Sequence, residues 1–226
     1  MPWPAASPAE IASFQARGWL ALPEAVPPAV VDDLAARCEA VHTRPGLAME
    51  GLGRGPEDLP GDRVLQSMLE MVWLDWKTAP FHAWTRNFAS ALMGQPVTLW
   101  YNQLLDKPPR VGAATWWHQD GASLGPGVGD RLVSCWMALD AVDETSGCMH
   151  FQDHRPEDGL LMHEPLSAED CGRGACEIDP ARVVAVPLPK GGLTFHRGMT
   201  PHMARANRSE RWRQVLIQRF VWGATP

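Results

Sequence analysis

Two kinds of hydrophobic spacing divide this chain. Up to Gly94, apolar residues recur mostly at helical intervals; beyond it they come in short alternating or continuous blocks. Ser7-Pro8-Ala9-Glu10 has capping-box spacing with proline at the first helical position, and Gly18 is the expected stop of that helix. "WLALPEAV" (19–26) follows as a short extended piece. Pro27 and Pro28 open a second helix through "AVVDDLAARCEAV" (29–41). Residues 44–63 are rich in Gly and Pro and read as a loop and a candidate lid. "VLQSMLEMVWLDW" (64–76) has helical spacing, Pro80 interrupts it, and "FHAWTRNFASALM" (81–93) predicts a further helix ending at Gly94. After that, "VTLWYNQLL" (97–105), "LVSCWMAL" (132–139), "VVAVPL" (183–188), "LTFH" (193–196) and "RQVLIQRFVW" (213–222) read as strands. Helices first and strands afterwards predict an α+β fold with a mainly β core, a sandwich or barrel. The expected organisation is one domain over 1–226, with 1–94 as mainly helical support packed on one sheet and 95–226 as the β core.

Composition narrows the function. The 226 residues are 45% hydrophobic and 20% charged, ordinary for a folded soluble protein. A net charge of -6 argues against a general nucleic-acid surface, which needs a basic face. Five scattered cysteines fit a reducing compartment better than a disulfide framework. Cys171 and Cys176 share a loop but lack a second pair at zinc-site spacing. The N-terminus lacks the marks of a secretory signal, and no apolar run approaches ~18 residues, so a cytoplasmic protein without a membrane span is expected.

The chemistry concentrates at "TWWHQDGAS" (115–123). On a strand, side chains two apart leave the same face, so His118 and Asp120 would point at one spot with Trp116, and Trp117 would face away. Two histidines and a carboxylate on one face of a metal ion leave positions open for dioxygen chemistry at non-haem iron. The third ligand must come from a distant strand. Of the eight histidines, His42 and His82 fall in the helical half, and His150, His154 and His163 in or beside loops. His196 and His202 lie near the end of the strand region, and residue type alone leaves both open. "GASLGPGVGD" (121–130), beside the pair, is a second candidate lid.

In order along the chain, "WWHQDG", "SCWMALDAVDETSGCMHFQDHRP" and "GGLTFHRGMTPHMARANRSERWR" resemble the phytanoyl-CoA dioxygenase family, and the opening "FQARGWLALPEAVPPAVVDDL" is similar to that family's N-terminal pattern. The resemblance implies a double-stranded β-helix, or jelly roll, that uses Fe(II), 2-oxoglutarate and O2. It implies His118, Asp120 and His202 as metal ligands and Arg213 as the partner of the far carboxylate of 2-oxoglutarate. A guanidinium holds a carboxylate through two charge-assisted bonds, which lysine cannot do. Arg219 shares the expected face of Arg213 and is its main rival. Trp136 matches a residue flanking the cosubstrate, and Gln119, Gln103 and Asn102 fall where relatives place cosubstrate or pocket residues. Asp120 stands where related halogenases have a small residue, which argues for hydroxylation over halogenation. Two features depart from the family: "SGCMHFQDHRP" keeps little of the usual pattern there, and Ala204 stands where many relatives have Ser or Thr.

These residues imply hydroxylation of an unactivated C–H of a small metabolite, amino-acid-like or a natural-product intermediate, with release of succinate and CO2. Trp100, Trp116 and Trp136 suggest an apolar wall, while Lys107, Arg110 and Arg131 are candidates for reading an anionic group. The chain is short for the family, which implies a more open pocket or one completed by a partner copy, as in a homodimer. Two other classes remain in view: a cupin-like metal enzyme that does not use 2-oxoglutarate and so would not need Arg213, and a non-catalytic metal-binding scaffold.

Overall fold

The first helix forms where its capping box predicts. In a computed structural model, which describes residues 3–42, 49–52, 59–68, 80–124, 127–164 and 175–224, α1 (Pro8–Arg17) begins at Ser7. The Ser7 side chain accepts from the Glu10 amide, and the Glu10 side chain accepts from the Ser7 amide. Gly18 ends the helix with φ 79°, a left-handed conformation that glycine adopts without strain. Then follow β1 (Trp19–Leu22), α2 (Pro28–His42), β2 (Met49–Leu52), β3 (Arg63–Met68), α3 (Pro80–Met93) and β4 (Val97–Asp106). β5 (Thr115–His118), α4 (Asp120–Leu124), β6 (Leu132–Ala138), β7 (Met149–Gln152), β8 (His163–Glu164) and β9 (Ala175–Cys176) come next. The chain closes with β10 (Val183–Val186), β11 (Leu193–Arg197), β12 (His202–Ala204) and β13 (Val215–Trp222).

Two antiparallel sheets make the double-stranded β-helix. One has the order β1-β11-β6-β13-β4-β3-β2 and the other β10-β7-β12-β5. Alternation along β6 shows how they are used. Val133, Cys135 and Met137 join a cluster with Phe14, Leu34, Trp84 and Phe88 of the helices. Trp136 and Ala138 join a second cluster with Phe151 of β7 and Ala204 of β12, between the sheets. Because β6 is covered on both faces, every residue of it is buried and its pattern reads as a continuous apolar run. The N-terminal helices thus pack on one face of the larger sheet, and its other face encloses the site.

Three sequence expectations change. The helix expected over 64–76 begins instead as the strand β3, which pairs with β2 and β4; residues 69–79 lie outside the described residues. A short apolar run fits helix or strand equally, and the ladder to β4 decides it. The 44–63 loop contains the strand β2, and the remainder of 43–58 lies outside the described residues, as does Cys171. The first 94 residues therefore contribute β1, β2 and β3 to the main sheet as well as helices. Residues 121–130 hold most of α4 and the start of a 3-10 turn at Gly129–Arg131. No helix among the described residues is long and apolar enough to cross a membrane.

Candidate metal centre

β5 ends at His118, and Asp120 opens α4, so the two do not share a strand as the spacing predicts. His202 starts β12 directly opposite His118, which brings the two rings to a centroid separation of 4.2 Å. Each ring is oriented by its own backbone. Nδ1 of His118 donates to the Trp116 carbonyl at 2.7 Å, and Nδ1 of His202 to the Thr200 carbonyl at 2.9 Å. That fixes the tautomer and leaves each Nε2 lone pair for a metal. The ligand atoms of His118, Asp120 and His202 all lie within 4.8 Å of one another.

The surroundings favour the protonation a metal needs at Asp120, a charged carboxylate, and at His202, a neutral imidazole. Burial alone would raise the Asp120 carboxyl, but Arg219, His118, His196 and His202 hold it well below the usual carboxylate range. Burial pushes His202 well below the ordinary histidine value, and His118 and His196 add to the effect. His196, the rival ligand, stands beside the triad. Its ring lies 4.3 Å from that of His202, and its Nε2 is 3.8 Å from Oδ2 of Asp120. Ser134, which no sequence pattern marks, donates to the same oxygen at 3.0 Å.

A cavity of about 330 Å³ opens on these donors, lined also by Trp116, Trp136, Gln103, Arg213 and Arg219. Arg213 is fully buried beside the ring of Trp136, with its Cζ 5.8 Å from the ring centroid. Its NH1 donates to the Leu105 carbonyl at 3.0 Å, while its Nε and NH2 have no partner among the described residues. Burial lowers its pKa to about 10, with Asp106 opposing the shift, and two guanidinium nitrogens left without partners among the described residues fit the arrival of a carboxylate. The motif spacing around Arg213 has a structural reason. Asn207 donates to the carbonyls of Lys107, Pro108 and Arg211 and accepts from Ser209, closing the loop that leads into Arg213. Arg213 then exchanges backbone hydrogen bonds with Lys107 at the end of β4.

Several expected site residues lie elsewhere. Lys107 is buried, but its Nζ donates to the carbonyls of Ala204 and Arg205, and it does not line the cavity. Arg131 binds the carbonyls of Gly127, Trp222 and Ala224. Arg110 pairs with Glu210 at the surface. Trp100 packs edge-on against Tyr101, outside the cavity lining. Asn102 sits opposite Gln218, whose side chain meets Thr85 and His82 of α3, so Asn102 faces the helices and not the site. Gln119 touches the cavity, but its amide is occupied: Nε2 reaches the carbonyls of Gly159 and Met199, and Oε1 accepts from the Leu161 amide. It braces the 159–161 segment against the site.

Two facing sheets with these three metal-ligating side chains between them define a jelly roll with a candidate metal site. The chain belongs to the phytanoyl-CoA dioxygenase family, whose model matches residues 14–215. It is similar to the Caenorhabditis elegans phytanoyl-CoA dioxygenase domain-containing protein 1 homolog, 23% identical over 71% of this chain. That match spans 60% of the relative, so the chain covers less than two thirds of its length. A 2-aminoethylphosphonate dioxygenase from an uncultured bacterium, HF130_AEPn_1, is 27% identical over 57% of this chain and 47% of its own. Among solved structures, EvdO2 from Micromonospora carbonacea var. aurantiaca, complexed with 2-oxoglutarate, superposes with a TM-score of 0.80. It is 28% identical and is matched over 100% of this chain and 95% of its own.

Proposed function

We propose that this chain is an Fe(II)- and 2-oxoglutarate-dependent dioxygenase that hydroxylates an unactivated C–H of a small metabolite, amino-acid-like or a natural-product intermediate. One observation carries the reading: a fully buried Arg213 leaves Nε and NH2 without partners among the described residues, and it lines the cavity that also holds the His118, Asp120 and His202 donors. A buried cation with two nitrogens left unpaired is costly, and a carboxylate at that point offsets the cost. The structure of EvdO2 with 2-oxoglutarate bound supports the same assignment.

His118, Asp120 and His202 would hold the iron, which together with 2-oxoglutarate and dioxygen supplies the oxidising power, the cosubstrate leaving as succinate and carbon dioxide. Arg213 orients the cosubstrate by its far carboxylate, and Trp136 shields that pair from water. Trp116 offers a flat wall against which a substrate can be held. The phosphonate-oxidising relative supports a compact substrate.

Anaerobic titration of the Fe(II)-loaded protein with 2-oxoglutarate tests this. A visible metal-to-ligand charge-transfer band is expected, and Arg213→Ala should need far more 2-oxoglutarate to produce it. No band at saturating cosubstrate would overturn the reading and bring forward a metal enzyme of another kind.

A further inference from the structure

The Asp120 carboxylate is held by a row of three residues that cross adjacent strands of the larger sheet. Ser134 on β6 pairs directly with His196 on β11 and with Arg219 on β13. Directly opposed residues share a face, and all three side chains meet the carboxylate. On one oxygen, Oδ2, Ser134 donates at 3.0 Å and His196 Nε2 stands at 3.8 Å. The other oxygen, Oδ1, is turned toward His118, 3.7 Å from its Nε2. Oδ1 is therefore the oxygen available to a metal held by the histidines.

That oxygen already has a cation. Arg219 NH2 donates to Oδ1 at 3.4 Å. The guanidinium is steadied by NH1 donating to Gln103 Oε1 at 2.7 Å and by the Tyr101 ring 5.1 Å from its Cζ. The Arg219 and Asp120 side chains are only 13% and 8% exposed, so solvent screens little of the repulsion between this cation and an incoming metal.

We infer that the row divides two tasks: Ser134 is a positioning residue that turns Asp120 toward the metal, and Arg219 holds the metal-free carboxylate while competing with the metal for Oδ1. The inference rests on the metal-site reading above. Arg219 then sets how tightly the site retains its ion. An anionic cosubstrate offsets the excess positive charge, so metal and 2-oxoglutarate should each strengthen the binding of the other.

The test is Co(II) titration of the metal-free full chain, followed by its ligand-field absorption. Ser134→Ala should weaken Co(II) binding about tenfold, the usual cost of losing a partner that orients a ligand. Arg219→Met should tighten it about tenfold or more, because a cation beside the metal is removed. Arg219→Lys, which keeps the charge, should return the affinity toward wild type. If Arg219→Met does not fold without metal, Arg219→Gln keeps a neutral donor near Oδ1 and should also tighten binding. A merely structural role predicts weakening in every variant. Weakened or unchanged binding in the neutral Arg219 variants would therefore overturn the competition while leaving the metal site standing. No Co(II) uptake by the wild-type chain would overturn the metal site and this inference together.

Discussion

Arg213 shows how a single side chain can be costly alone and useful in company. Its Nε and NH2 are buried and without partners among the described residues, and the residue lines the cavity, so a carboxylate there should be held by two charge-assisted bonds at once. Lysine offers a point charge and no planar fork. Arg213→Lys should therefore weaken 2-oxoglutarate binding by about 2–3 kcal/mol, or roughly 30- to 150-fold, measured by anaerobic titration. Co(II) affinity should stay within a few-fold, because the proposed metal donors come from other elements. Equal losses of both affinities would mean the substitution has disturbed the whole cavity. At this scale the sequence was informative about residue type and less so about direction. Trp116 and Trp136 line the cavity. Gln119 and Lys107 sit close in sequence to site residues yet spend their polar atoms on backbone groups.

At the scale of elements, loops do the placing. Asn207 bonds three carbonyls, two of them at the end of β4, and so fixes the strand start that presents Arg213. Asn207→Ala would strand those buried carbonyls and should cost about 2–4 kcal/mol in urea unfolding. Its 2-oxoglutarate affinity should fall more than its Co(II) affinity. A second anchor ties the same loop to the approach of β3. Arg208 NH1 and NH2 donate to the two oxygens of Asp62. The Arg208 hydrogen bonds, against the opposing effect of burial, hold the Asp62 carboxyl below its ordinary value. A carboxyl lowered by folding stabilises the native state above its unfolded pKa near 4, and the gain disappears as pH falls through the folded value. Arg208 is about a third exposed, so Asp62→Asn should cost only about 1–2 kcal/mol at pH 7. The difference from wild type should vanish in strongly acidic solution; a difference that persists there would assign the effect to packing.

For the whole molecule, the helices stiffen the sheet whose inner face carries the Asp120 cradle. Phe88 of α3 stacks on Phe195 of β11, their centroids 5.1 Å apart, and both are buried. His196, next to Phe195, points to the opposite face and meets Asp120. Phe88→Ala should destabilise the fold by about 3–5 kcal/mol in denaturant unfolding. The Co(II) affinity of the molecules that remain folded should be nearly unchanged. A large loss of affinity at unchanged stability would show that α3 acts on the site directly.

The sequence by itself determined the elements whose signals are local. The capping box and Gly18 delimit α1, apolar alternation marks β4 and β13, and motif order identifies the family. Local signals failed where partners decide. Val64–Met68 fits helix or strand by spacing, and only pairing with β4 makes it a strand. His196 and His202 are alike as residues. The register of β12 puts His202 opposite His118, whereas the register of β11 puts His196 opposite Ser134, behind the carboxylate. Arg213 and Arg219 share a face, yet one ends beside Trp136 with unpartnered donors and the other against Asp120. Hydrogen-bond register and burial are properties of strands brought together from distant parts of the chain, so only the tertiary structure gives each of those histidines and arginines its surroundings.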